Sequence, residues 1–188
     1  MLNETEKQIA ILLNDMHNKY LEDPDNGYYD TRDILEAIHE KIRPNGAVSG
    51  FSRDIKRNIE PEWLLDYYWY TPVKKRDPGD DWRWFNGLGL ACEIEWSYPT
   101  NQKFNNLLED FQKLMVVNAE QKLFVTQLKA LASIDDMVNW LAEFLLVPGF
   151  ECLFIVTPVH NRKNGNELIV YKVKDNAFHL VNQTEYAI

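Results

Sequence analysis

Apolar residues recur along the chain with two periods, and the period decides which element each segment forms. Spacings of three and four residues predict four helices, while alternation or an unbroken apolar run predicts six strands. The predicted order is two helices, two strands, a helix, a strand, a helix and three strands. A hairpin followed by β-α-β units is typical of an α/β fold, with a mixed central sheet and helices on both faces.

Polar residues mark where several of these elements begin and end. Asn3 with Glu6, and Ser133 with Asp136, have the spacing of a capping box. The other expected caps are Asp30 or Thr31 for the second helix and Thr100 or Asn101 for the third. Residues 51–59 are predicted to be helical or irregular. Strands 167–173 and 178–181 are predicted to form a hairpin across residues 174–177.

The predicted strand 87–96 has two unlike faces. One carries only apolar residues: Leu88, Leu90, Cys92, Ile94 and Trp96. The other begins with the small residues Gly87, Gly89 and Ala91 and then presents Glu93 and Glu95. Small residues favour the close approach of another element. The two carboxylates are about 6.5–7 Å apart along the strand and repel each other unless a cation or a proton lies between them.

A third acid, Asp66, lies on the preceding predicted strand, residues 62–71, among aromatic residues. A hairpin between the two strands can bring Asp66 beside Glu93, with Glu95 one pleat further on. Three carboxylates of this kind are the hard oxygen ligands that Mg²⁺ or Mn²⁺ prefers, and such a site suits phosphodiester hydrolysis. Two alternatives stay open: a solvated sheet face for the glutamates, and an ordinary loop cap for Asp66.

Four segments in this order resemble the PD-(D/E)xK nuclease superfamily, whose fold is restriction-endonuclease-like. They are residues 64–66, 90–95, 107–114 and 122–125, and the resemblance spans residues 31–157. It implies a three-layer αβα core around a mixed sheet, metal-dependent nuclease activity, and Asp66 and Glu93 as metal ligands. The chain 1–188 would be a single domain, with residues 1–22 as an added N-terminal helix and 166–182 as a C-terminal hairpin.

Glu95 stands where the superfamily has a lysine, so the motif is an E-x-E variant. In the family that lysine is thought to orient or activate the attacking water. Glu95 can take this part as a general base or as a ligand to a metal. A lysine can also reach in from elsewhere, and the candidates are Lys113 and Lys122. A helical wheel points Lys113 almost directly away from the apolar face of its helix.

The charge of the chain weighs against the nuclease interpretation. With 20 Lys and Arg against 29 Asp and Glu, the formal net charge is −9, which attracts DNA or RNA only weakly. The alternative is a non-catalytic nuclease-like or other acidic α/β protein that binds a basic protein partner. Homodimerisation through the first helix is a further expectation.

Other features bear on the cellular compartment. Cys92 and Cys152 lie in apolar runs and read as reduced core residues. The N-terminal residues lack the pattern of a signal peptide, and no run of 18 apolar residues exists to span a membrane. These features predict a cytoplasmic protein.

Overall fold

A computed structural model describes residues 1–23, 29–51, 65–72, 87–96, 105–127, 134–157 and 167–186. Within these ranges the chain forms four α-helices and seven strands. The helices are α1 (Glu4–Glu22), α2 (Thr31–Lys41), α3 (Asn105–Val116) and α4 (Ile134–Ala142). The strands are β1 (Val48–Phe51), β2 (Tyr67–Tyr70), β3 (Leu88–Glu95), β4 (Ala119–Gln127), β5 (Cys152–Thr157), β6 (Ile169–Lys174) and β7 (Ala177–Val181).

The seven strands form one mixed sheet in the same order as in the sequence. Strands β1, β2 and β3 are antiparallel neighbours, β3, β4 and β5 are parallel, and β5, β6 and β7 are antiparallel again. Each parallel pair is joined through a helix, α3 between β3 and β4 and α4 between β4 and β5. The predicted mixed sheet is confirmed.

Successive strand residues alternate between two cores. Leu123 packs in one cluster, with residues of α1 and α2, and Phe124 packs in the other, with residues of α3 and α4. Both crossovers run in the same direction across the sheet, so the usual right-handed connection places α3 and α4 on the same face. The predicted α/β class, with helices on both faces of the sheet, is confirmed.

Both N-terminal helices begin at their predicted caps. The Asn3 side chain accepts a hydrogen bond from the Glu6 backbone N–H at 3.0 Å, and the Glu6 carboxylate accepts one from the Asn3 backbone N–H. The Asp30 carboxylate caps α2 in the same way. The other predicted caps, at residues 100, 101 and 133, lie outside the described residues. Local sequence therefore determines where α1 and α2 start.

The boundaries of other elements differ from the prediction. Strand β1, whose residues Val48–Phe51 pair with β2, was not predicted, and its last residue begins the segment 51–59 that was expected to be helical or irregular; residues 52–59 lie outside the described residues. The four-residue strand contains Ser49 and Gly50, so its apolar pattern is too short to show. Helix α4 ends at Ala142 rather than near Pro148 because the next backbone N–H groups donate to carbonyls three residues back, as in a tightened turn.

The β6–β7 hairpin is confirmed. Its turn places Asp175 at φ 51° and Asn176 at φ 58°, a left-handed pair that Asn and Asp tolerate better than other side chains.

Helix α1 packs on the sheet through Ile9 and Leu13, which lie in the same buried cluster as residues of α2 and of six strands, β2 to β7. A buried ion pair adds to this contact: the Lys172 ammonium on β6 lies 2.7 Å from the Glu6 carboxylate. Lys172 also contacts the more exposed Glu151 at 2.7 Å. Within the described ranges, no helix has an apolar stretch long enough to cross a bilayer.

The beginning of β3 departs from strict alternation. Leu88 packs in the cluster with Ala91, whereas Leu90, Cys92 and Ile94 pack in the opposite one. The uniform apolar face predicted for this strand is therefore wrong at Leu88. On the second face Ala91 and Glu93 are buried on the side of the sheet that carries α3, whereas Gly89 and Glu95 are only partly buried.

We expect Gly89→Ala to destabilise the fold by about 1–3 kcal/mol, the usual cost of overpacking. A Cβ at this position would lie 2.4 Å from Nε1 and 2.6 Å from Cδ1 of the Trp69 ring. Urea denaturation measures the change. Gly89→Ala should cost less stability when it is added to the Trp69→Phe variant than when it is added to the wild type, because phenylalanine lacks the pyrrole ring that causes the clash. Wild-type stability for Gly89→Ala would contradict this packing.

Candidate functional site

Two of the predicted acids meet where β2 and β3 pair. Tyr67 lies opposite Cys92 and Tyr68 opposite Ala91, so one further step of the antiparallel register places Asp66 opposite Glu93. Asp66 directly precedes β2 rather than lying within it. Its Oδ2 accepts a hydrogen bond from the Ile94 backbone N–H at 2.8 Å. This bond ties the Asp66 carboxylate to the strand that carries Glu93.

Glu93 is a buried acid in the cluster beneath α3. Only 2% of its surface is exposed, and its register partner on β4 is Phe124. None of the described residues donates a hydrogen bond of good geometry to Glu93 Oε1. The Lys113 ammonium lies 3.4 Å from this oxygen, longer than a normal N–H···O bond. A buried carboxylate oxygen in this state is costly unless a proton or a cation satisfies it.

Helix α3 is fixed above the site by its aromatic residue Phe111. The Phe111 ring centroid lies 5.4 Å from that of Phe124, 5.5 Å from that of Phe150 and 5.9 Å from that of Phe154, each edge to face. This anchor sets the rotation of the helix. The Lys113 side chain then crosses the flank of α3 to Glu93, although its backbone position points away from the apolar face.

Asp110 completes the cluster and is the residue that sequence reasoning missed. Its Oδ1 lies 2.6 Å from the Lys113 ammonium, an i,i+3 ion pair on α3. The Asp110 side chain is mostly buried and that of Lys113 partly exposed. The spacing of the pair was readable in the sequence, but whether it faces the sheet depends on tertiary packing.

The electrostatics of the cluster follow from burial and from this crowding of acids. The pKa of Glu93 is raised to about 8, mainly because the side chain is buried and also because the Asp66 carboxylate is near, while Lys113 opposes both effects. For Lys113, burial lowers the pKa, but the hydrogen bond to Asp110 and the charge of Glu93 outweigh burial and raise it. At neutral pH the site therefore holds a largely protonated Glu93 beside a lysine ammonium.

The other two candidate residues, Glu95 and Lys122, make different contacts. Glu95 lies two residues beyond Glu93 at the end of β3, partly exposed, with its backbone carbonyl accepting a hydrogen bond from Thr126 Oγ1 at 2.8 Å. The ammonium of Lys122 lies 5.0 Å from the centre of the Phe150 ring, and burial lowers its pKa. Among the described residues, the interactions established for Glu93 involve Asp66, Asp110 and Lys113.

The fit of a divalent cation can be judged from these side chains. Within the described ranges, no group of three His, Cys, Asp or Glu side chains is arranged to hold a metal ion. Mg²⁺ nevertheless often keeps several waters and needs only one or two protein carboxylates. Asp66, directly before β2, and Glu93 on β3 supply two, and the buried Glu93 oxygen lacks a good hydrogen bond. These two residues fit a hydrated Mg²⁺ or Mn²⁺ ion, with Glu95 nearby on β3.

Comparison of the chain with protein-family models, with curated proteins and with solved structures gave no significant match.

Proposed function

We propose that the protein is a metal-dependent phosphodiesterase that hydrolyses DNA or RNA and has a restriction-endonuclease-like fold. The observation that carries the proposal is the convergence of Asp66, Glu93 and Lys113 on one face of the sheet. Two carboxylates and a lysine are the residue types that the PD-(D/E)xK resemblance implies. The order β2, β3, α3, β4 also agrees with the segments that carry that resemblance.

The roles follow from the chemistry of each group. Asp66 and Glu93 would hold Mg²⁺ or Mn²⁺, which supplies charge stabilisation at the phosphate and acidifies bound water. Lys113, an ammonium here, can donate to a phosphate oxygen but cannot accept a proton at neutral pH. Glu95 is more exposed than Glu93 and is the carboxylate left to serve as a general base.

The raised pKa of Glu93 makes cation binding compete with a proton. Replacing the proton by Mg²⁺ or Mn²⁺ requires the carboxylate to ionise, so affinity should rise as the pH increases toward about 8. Calorimetry in buffers of different ionisation enthalpy can count the proton released.

The direct test incubates the purified chain with plasmid DNA, single-stranded DNA and RNA in Mn²⁺, Mg²⁺ or EDTA. We expect cleavage of at least one substrate with either metal and none with EDTA. The double variant Asp66→Ala, Glu93→Ala, prepared identically, controls for a contaminating nuclease. Intact substrates together with no Mn²⁺ binding in calorimetry would overturn the proposal. The non-catalytic alternative, binding of a basic protein partner, would then be the function to test.

A further inference from the structure

The lysine of the candidate site comes from a helix, and its contacts are unequal. The Lys113 ammonium lies 2.6 Å from Asp110 on α3 but 3.4 Å from Glu93 on β3. The shorter distance is that of a charge-assisted hydrogen bond, and the longer one exceeds that of a normal N–H···O bond. Asp110 therefore holds the ammonium, while Glu93 lies within reach of it.

A lysine at this place needs such a partner. Its side chain has four rotatable bonds, and fixing it in one conformation costs rotamer entropy. The Lys113 side chain is 38% exposed, so packing alone does not fix it. Asp110, one turn earlier on the same helix and only 18% exposed, supplies a rigid anchor for the ammonium.

The geometry also limits what Lys113 can do. An ammonium has three N–H donors and no acceptor. The hydrogen bond to Asp110 engages one donor, which leaves the other two to face Glu93 and a further acceptor.

We propose that Asp110 is a positioning residue that holds the Lys113 ammonium beside Glu93, where Lys113 donates to a phosphate oxygen of the substrate instead of accepting a proton from water. The inference rests on the proposed phosphodiesterase function and assigns the task of the lysine within it. Asp110 acts only through Lys113, so removing either residue should remove the same contribution.

The test compares Asp110→Asn, Asp110→Glu, Lys113→Met and the double variant Asp110→Asn, Lys113→Met in Mn²⁺-dependent cleavage of a short oligonucleotide. We expect Asp110→Asn to lower kcat by about 10- to 100-fold. This is somewhat less than the drop in kcat that follows removal of a group that itself donates to the transition state. KM and the Mn²⁺ Kd should stay within about threefold, the double variant should be no worse than Lys113→Met, and Asp110→Glu should restore part of kcat.

A readout independent of cleavage is the NMR titration of the Lys113 side chain, assigned with Lys113→Arg. Asp110→Asn should lower its midpoint, because the nearby opposite charge is lost. The matched control is Glu36→Gln, which breaks the exposed Arg32–Glu36 pair on α2 (2.8 Å) and should leave kcat unchanged.

The outcomes separate the two proposals. If the wild-type protein cleaves and Asp110→Asn has the same kcat, the positioning role is overturned, while the proposed phosphodiesterase function is not. Additive losses in the double variant also overturn it. If the wild-type protein neither binds Mn²⁺ nor cleaves, the phosphodiesterase proposal fails and the catalytic role of Lys113 fails with it. An unchanged Lys113 midpoint in Asp110→Asn overturns the anchor itself.

Discussion

Glu93→Gln is expected to abolish Mn²⁺ binding, to lower cleavage by about 10²- to 10³-fold, and to make the protein more stable above pH 8. The loss of activity follows because an amide is a poor ligand for a hard cation, and bound metal contributes several kcal/mol to catalysis. The gain in stability follows because a neutral amide carries no buried charge. Cleavage assays and urea denaturation at pH 5, 7 and 9 measure the two effects.

The pH dependence follows from the raised pKa of Glu93. In the unfolded chain Glu93 ionises near its ordinary pKa of 4.5, whereas in the folded protein it keeps its proton up to about pH 8. The stability that the neutral carboxyl contributes is therefore fully present below pH 4.5 and is lost as the pH rises through about 8. Glutamine does not titrate, so the variant lacks this loss, and we expect a difference on the order of 2–4 kcal/mol at pH 9.

Two controls make this result specific. Glu143→Gln, at an exposed position after α4, should change neither cleavage nor stability. Glu6→Gln alters another buried acid, on the opposite face of the sheet, and should lower stability without removing Mn²⁺ binding. A Glu93→Gln protein with wild-type cleavage would rule out Glu93 as a metal ligand, and one whose stability falls at pH 9 would rule out its raised pKa.

Much of the fold follows from the sequence because period and caps are local properties. The capping box of Asn3 and Glu6, the unbroken apolar run of β5 and the Asp175–Asn176 turn each determine their element with neighbouring residues alone. Strand β1 cannot be predicted in this way, because four residues that include Ser49 and Gly50 show no apolar period. These residues form a strand because they pair with β2.

The candidate site was predictable to the extent that sheet geometry determines it. Alternation along β3 and a hairpin register bring Asp66 to Glu93. The position of Lys113 was not predictable, because the wheel gives only the direction of its Cβ, whereas the ammonium lies several bonds away at a place set by Asp110 and the rotation of α3. The role of Glu95 stays a prediction.

Lys172→Met is expected to destabilise the protein by about 3–5 kcal/mol, the usual cost of breaking a buried ion pair by removing one partner. The variant leaves the Glu6 carboxylate, 3% exposed, without its cation beneath α1. That loss is a large fraction of the roughly 5–15 kcal/mol typical of a whole domain. Urea denaturation at pH 7 measures it, and a cost below about 1 kcal/mol would contradict a buried pair.

The comparison variants identify the unpaired charge as the cause. Glu151, the other partner of Lys172, has a side chain that is 59% exposed. Glu151→Gln should therefore cost under about 1 kcal/mol of stability. The double variant Lys172→Met, Glu6→Met replaces both charges by apolar chains and should recover most of the stability, since no buried charge is left. Because the pair joins residues 166 positions apart, its loss should also raise hydrogen exchange along α1 more than along α3. An equal increase in hydrogen exchange along α1 and α3 would show that the pair stabilises the domain as a whole rather than the docking of α1.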